Sequence, residues 1–97
     1  MYSYELGIVF DPTLTEEEKT ASYDKVKELI VRFGGEVTKE DDWGKRRLAY
    51  EIDKKREGFY YFVQFNAAGD VPPEIESRIR IMDEVMRYLT VRLDEED

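Results

Sequence analysis

Phe59-Tyr60-Tyr61-Phe62-Val63-Gln64-Phe65-Asn66-Ala67 is apolar on both sides of an extended chain. Side chains alternate across a strand, so Phe59, Tyr61, Val63 and Phe65 share one face, and Tyr60 and Phe62 share the other. A strand apolar on both faces belongs in the middle of a sheet, so its neighbours must lie in the flanking sequence. Tyr2 to Phe10 alternates in the same way. Tyr2, Tyr4, Leu6, Ile8 and Phe10 fall on one side; Ser3, Glu5, Gly7 and Val9 fall on the other. Asp11-Pro12 ends that strand.

A helix follows. Thr15 with Glu18 three residues on fits a capping box, and the acids at 16–18 suit the positive end of a helix dipole. Tyr23, Val26, Leu29, Ile30 and Phe33 recur at helical spacing, and Gly34-Gly35 supplies a left-handed stop. A second strand opens at Glu36-Val37-Thr38-Lys39. It is expected to be interrupted by Glu40-Asp41-Asp42 and to bulge or bend at Gly44 before running on from Lys45 to Asp53, with Leu48 and Ile52 in the core. Lys54 to Gly58 reads as a charged turn closing a hairpin onto the strand first quoted. Asp70-Val71-Pro72-Pro73 opens a second helix, with Ile75, Ile79 and Met82 as its apolar stripe, and Asp83-Glu84 breaks it. Val85 to Leu93 is a fourth strand, expected to place Leu89, Val91 and Leu93 on one face and Met86, Tyr88 and Thr90 on the other.

The order β-α-β-β-α-β predicts an α+β, ferredoxin-like split β-α-β sandwich: a four-stranded antiparallel sheet with both helices on one face and strands one and three central. Residues 1–93 form the expected single domain; 94–97 form an acidic tail, expected to fray. A chain of 97 residues is long enough for one core. No Cys and no His are present, which excludes disulfides, thiol nucleophiles, imidazole bases and ordinary zinc sites. No metal or cofactor is expected. No apolar run approaches the ~18 residues of a membrane span, and the start lacks a secretion-signal pattern, so no membrane association and a cytoplasmic location are expected.

Enzyme chemistry finds little support. Acyl-phosphate enzymes of this topology need an Arg-bearing loop after the first strand; here that loop is Asp11-Pro12-Thr13-Leu14. Asp41 and Asp42 are adjacent, so on an extended chain they point apart, and they read as a solvated turn. Gly34-Gly35 follows a helix instead of preceding one, which suits a C-cap and not a phosphate loop. No catalytic residue and no small-molecule substrate are expected, although a ligand-sensing regulatory domain of this topology is an alternative.

The net charge of −8 argues against a polyanionic partner, but its distribution does not. Residues 45–56 hold six cations against two acids, and Arg78, Arg80, Arg87 and Arg92 face only Asp83 and Glu84. Recognition follows the local field, not the total. The helix-free face is expected to carry Glu5, Gly7, Val9, Arg47, Ala49, Tyr60, Phe62, Met86 and Tyr88: aromatic groups flanked by cations, able to stack unpaired bases or receive an apolar protein segment. Residues 58–65 match the RNA-recognition consensus at Tyr60, Phe62, Val63 and Phe65 and miss it at Gly58, Phe59 and Tyr61. A stand-alone single-strand RNA binder using Tyr60 and Phe62 is therefore a second alternative.

Asp42-Trp43-Gly44-Lys45-Arg46-Arg47-Leu48-Ala49-Tyr50, with Ile52, Lys54 and then Gly58-Phe59-Tyr60, resembles the bacterial small-ribosomal-subunit protein six family. Tyr4-Glu5, Pro12 and the run Arg80-Ile81 with Asp83, Val85 and Arg87 extend the resemblance across residues 2–93. It implies a ferredoxin-like structural constituent of the small ribosomal subunit, without catalytic activity. It also implies pairing with small-subunit protein eighteen and binding of the central domain of 16S ribosomal RNA during assembly. The motif positions Lys45, Arg46, Arg47, Tyr50, Arg80 and Arg87 become candidate RNA or partner contacts; Trp43, Tyr60, Phe62 and Tyr88 become a candidate stacking or partner face. Arginine suits such contacts because its planar fork binds phosphate bidentately and stacks on rings. Arg80 and Arg87 could instead pair with Asp83 or Glu84. Three departures stand out: Tyr2 and Ser3 replace basic residues common in the family, Glu51 replaces a frequent proline, and the tail stops at Asp97. In this topology the second strand is an edge, and Arg46 and Arg47 point to opposite sides of it, one expected to meet the companion protein and the other RNA.

Overall fold

The computed structural model describes residues 1–52 and 54–93; the end of the expected second strand at Asp53 and the acidic tail 94–97 lie outside the described residues. The elements run β1 (Tyr2–Phe10), α1 (Glu16–Arg32), β2 (Glu36–Ile52), β3 (Lys55–Ala67), α2 (Val71–Ile79) and β4 (Val85–Arg92). The sheet order is β2-β3-β1-β4, with every pairing antiparallel. The strand first quoted and β1 are central, as their two-sided apolar character requires.

Local chemistry sets the helix ends. The Thr15 hydroxyl accepts the Glu18 N–H at 3.1 Å, and the Glu18 carboxylate accepts the Thr15 N–H at 2.8 Å, completing the capping box. Gly34 at φ +89° turns the chain out of α1. Tyr4, Leu6, Ile8 and Phe10 from β1 and Phe59, Tyr61, Val63 and Phe65 from β3 meet Tyr23, Val26, Leu29, Ile30, Ile75 and Ile79 from the helices in one buried cluster. Each such side chain contributes about 1.5–3 kcal/mol on burial, so this layer is the main source of stability.

The edge strands depart from the expected pattern, and one cause accounts for most of it. In β2, Asp42 pairs with Tyr61 and Gly44 with Tyr60, so Trp43 is an extra residue; Gly44 takes φ +74° to accommodate it. One inserted residue inverts the alternation that follows. Leu48 is therefore buried on the helix-free side, in the space Gly58 leaves beside Val9, and is no part of the main core. Arg47 and Ala49 do not occupy the helix-free face; Arg46, Leu48 and Tyr50 do. In β4, Arg87 pairs with Val9 and Val85 with Phe10, which makes Met86 the inserted residue. Tyr88 then pairs with Ile8, and Thr90 with Leu6, on the helix side. Arg87, Leu89 and Val91 turn to the helix-free side. The expected placement of Tyr88 and Thr90 on that face is thus corrected, and Met86 is the unpaired residue of the bulge.

Two further corrections concern the hairpin. Glu40-Asp41-Asp42 does not interrupt β2, which runs unbroken to Ile52. Of Asp41 and Asp42, expected as a solvated turn, Asp41 is exposed but Asp42 is bound by the Tyr23 hydroxyl of α1, and beside them Glu40 is held by Tyr61 and Lys27. The charged turn is also shorter than expected. β3 starts at Lys55, Lys54 takes a left-handed φ of 67°, and Arg46 and Arg47 pair with Gly58 and Glu57.

Candidate partner and nucleic-acid interface

The helix-free face is built on a close approach. A Cβ on Gly7 would sit 2.9 Å from the Phe62 ring, so glycine in β1 is what lets that ring lie flat across the central strand. The Trp43 ring packs on Phe62 at 4.6 Å between centroids and lies 6.5 Å from Tyr60, yet its residue stays 50% exposed. Gly7, Val9, Tyr60, Phe62, Leu89 and Val91 line a shallow hollow of about 350 Å³ beside it. Leu89 is 68% exposed. An apolar surface of this kind in a chain otherwise rich in charge is a contact surface in waiting.

Cations frame that surface, and they are held by rings instead of acids. The Arg46 guanidinium lies 5.4 Å from the Trp43 ring centroid while its Nε–H donates to the Trp43 carbonyl at 3.1 Å. Arg87 lies 5.1 Å from the centre of Tyr50. Stacking occupies the face of a guanidinium and leaves N–H groups on its edge for an incoming acceptor.

The cations differ in what holds them. Lys19, Lys25, Lys27, Lys39, Lys55 and Arg56 each have a carboxylate oxygen within 4.0 Å. Among the described residues, Lys45, Arg46, Arg47, Arg80 and Arg87 have none. Lys45 lies 5.3 Å from the Phe59 ring centre, on the helix side of β2. Arg47 opens on a separate hollow of about 560 Å³ with Pro12, Lys55, Arg56 and Glu57. Arg80 and Arg87 share a third hollow, of about 320 Å³, with Ile79, Val85, Met86 and Tyr88. The pairing of Arg80 or Arg87 with Asp83 or Glu84 is not formed. Glu84 instead accepts from the Ser22 hydroxyl at 3.0 Å and lies 3.8 Å from Lys25.

The structure therefore brings Trp43, Arg46, Tyr50, Tyr60, Phe62 and Arg87 to one face, sets Lys45 and Arg47 on the other side of β2, and turns Tyr88 toward the helix side while it still borders the hollow. Leu89 and Val91 are the face residues sequence reasoning missed, since only the bulge at Met86 brings them there. Two tyrosine hydroxyls behind the face are perturbed. Burial, then the hydrogen bond to Asp42, pushes Tyr23 well above its usual range; burial, then Glu40, does the same to Tyr61. Burial raises the Asp11 carboxyl, but hydrogen bonds from Lys55 and Thr13 outweigh it and hold it down at about 2. No group of three or more acidic ligands able to hold a metal occurs among the described residues, and no helix there is long and apolar enough to cross a membrane.

The split β-α-β sheet, with helices on one side and an apolar, cation-framed face on the other, defines a small α+β protein of ferredoxin-like fold. The chain belongs to the family described as Ribosomal protein S6, whose profile matches residues 3–92. It is 50% identical over 95 residues to small ribosomal subunit protein bS6 of Caldanaerobacter subterraneus subsp. tengcongensis, covering 98% of this chain and 100% of that protein. It is 46% identical over 96 residues to bS6 of Moorella thermoacetica, with 99% and 98% covered. The structure of 30S ribosomal protein S6 from Thermotoga maritima superposes with a TM-score of 0.91 at 32% identity, covering 95% of this chain and 87% of that one. The ferredoxin-like fold and the resemblance read from Asp42 to Tyr50 stand on these matches. The chain is a ribosomal protein of the small subunit, in the cytoplasmic ribosome, and its family is not one of enzymes.

Proposed function

We propose that this chain enters the small subunit as one half of a pair with small-subunit protein eighteen, and that the pair binds the central domain of 16S ribosomal RNA during assembly. The observation that carries this reading is the two-sidedness of β2. Arg46 joins Trp43, Tyr60 and Phe62 on the apolar face. Arg47, one residue on, opens toward Arg56 on the other side. An apolar face suits a protein segment, and a chain of charge −8 suits a basic companion. Cations without internal carboxylate partners suit phosphates. Trp43, Arg46, Tyr50, Tyr60, Phe62 and Arg87 are assigned to the companion; Lys45, Arg47 and Arg80 are assigned to RNA.

This reading is better supported than stand-alone base stacking. The Trp43 ring already covers part of Phe62, and Tyr88 is turned to the helix side, so few free ring faces remain for bases. Titration with purified protein eighteen, followed by a central-domain RNA fragment, tests the proposal. Saturable binding of the companion, and of RNA by the pair, is the expected result. Binding of neither partner, alone or together, overturns it.

A further inference from the structure

The residue that shapes the exposed face points away from it. Asp42 faces the helices, paired across the strands with the buried Tyr61. Its Oδ1 accepts two hydrogen bonds, from the Tyr23 hydroxyl at 3.0 Å and from the Gly44 N–H at 2.9 Å, while Lys19 lies 3.8 Å from its Oδ2. The first of these bonds ties β2 to α1. The second bridges the inserted residue: a carboxylate at 42 holding the amide at 44 fixes the turn of chain between them, and that turn contains Trp43. Gly44, at φ +74°, takes the left-handed turn that the inserted residue requires. Arg46 then closes the arrangement from the far side by donating to the Trp43 carbonyl and covering the ring.

We propose that Asp42 is the positioning residue of the partner-binding face: by accepting the Gly44 N–H it locks the bulge that sets Trp43 on Phe62 and Arg46 on Trp43. This rests on the reading that the helix-free face receives protein eighteen. A ring held in place before binding loses little freedom on contact, whereas a loose one must be ordered by the partner. The role belongs to the acceptor oxygen and not to the charge. An asparagine keeps an oxygen for Gly44 and Tyr23; an alanine keeps none.

Trp43 is the only tryptophan, so its emission reports its own placement in the free protein. Acrylamide quenching and emission maximum are to be measured for the wild type, Asp42→Ala, Asp42→Asn and Tyr23→Phe, together with each variant's affinity for protein eighteen by calorimetry. Asp42→Ala is expected to raise the quenching constant about twofold, shift emission to the red and weaken companion binding about tenfold. Asp42→Asn is expected to restore most of both. Tyr23→Phe lowers stability but leaves the Gly44 bond intact, so its quenching should match the wild type. Where Asp42→Ala fails to fold, Gly44→Ala strains the same bulge without touching Asp42 and is expected to show the same exposure of Trp43. Unchanged quenching in the folded variant overturns the proposal. So does a mobile Trp43 with undiminished affinity, or an Asp42→Asn variant no better than alanine. Failure of the wild type itself to bind protein eighteen overturns the reading of the face, a result distinct from any of these.

Discussion

The rings of Tyr23 and Tyr61 stack 4.0 Å apart and 9° from parallel, and each hydroxyl donates to a different carboxylate of β2: Tyr23 to Asp42 at 3.0 Å, Tyr61 to Glu40 at 2.9 Å. One ring comes from the helix and the other from the central strand. Together they form a polar end to the core that grips the edge strand through its acids. An acidic run that a sequence reader assigns to solvent is in fact the clasp between β2 and α1.

Replacing either hydroxyl, as Tyr23→Phe or Tyr61→Phe, should lower unfolding free energy by about 1 kcal/mol, below the usual figure for a charged acceptor because the freed carboxylates reach water. The paired replacement should depart from additivity because the rings share a stack. Urea titrations of the two single variants and the double variant provide the measurement.

Acid should act on the fold through Asp11. Its folded-state value of about 2 lies below the ordinary 3.8, so the carboxylate form is favoured in the native state. That contribution is complete above the ordinary value and is lost as pH falls from there toward about 2. The Lys55 ammonium, 2.7 Å from Asp11, is the group released. Asp11→Asn should flatten the dependence of stability on pH in this window, as read from melting temperatures between pH 5 and pH 2.

Gly7→Ala should displace the Phe62 ring, because the new methyl carbon would start 2.9 Å from it. Destabilisation of about 1–3 kcal/mol is expected for forced repacking of this kind. Trp43, which rests on that ring, should change its emission as well. A variant with wild-type stability and unchanged fluorescence would show that Phe62 does not need the space.

Arg46→Ala and Arg47→Ala should separate two kinds of binding. Removing Arg46 should weaken the affinity for protein eighteen and leave the salt dependence of RNA binding by the pair nearly unchanged. Removing Arg47 should reduce the slope of log K against log salt by about one for each lost phosphate contact. Lys25→Ala and Lys27→Ala, whose ammonium groups are already paired with acids, should leave that slope as it is. Equal slopes for the two arginine variants would place both on the same partner.

The fold was largely readable from Phe59–Ala67 and Tyr2–Phe10, because central strands carry their environment on both faces. The capping box at Thr15 and the stop at Gly34 were equally local and equally legible. The candidate face was harder to read, and Leu48, Tyr88 and Leu89 show why. Leu48 sits beyond two inserted residues of β2, Thr38 and Trp43, and Tyr88 and Leu89 sit beyond one of β4, Met86; each insertion reverses the assignments downstream of it. Gly44 advertised the bulge at Trp43, but nothing in Val85-Met86-Arg87 advertises the one in β4. Apolar alternation tells which residues go together, not which side they take once the register has slipped. The run Glu40-Asp41-Asp42 reads as a break in β2 for a different reason: the partners of Glu40 and Asp42, Tyr61 and Tyr23, are distant in sequence, and a long-range hydrogen bond leaves no local mark.

The hairpin of β2 and β3 outruns the sheet. β1 reaches only to Phe10, opposite Phe59, so beyond that point the two long strands have no third strand to pair with, and the regular register between them is lost from Arg47 to Ile52. Amide protons near this end should exchange with solvent at opening free energies close to those of frayed chain, while those from Tyr61 to Phe65 should follow global unfolding. The hairpin end thus presents Arg47, Lys54 and Arg56 beyond the sheet, anchored to the body by the Lys55–Asp11 ion pair and the Arg87–Tyr50 contact. Capture of a polyanion there would slow exchange along the hairpin end and leave the central strands untouched, giving a footprint of binding read in time instead of in space.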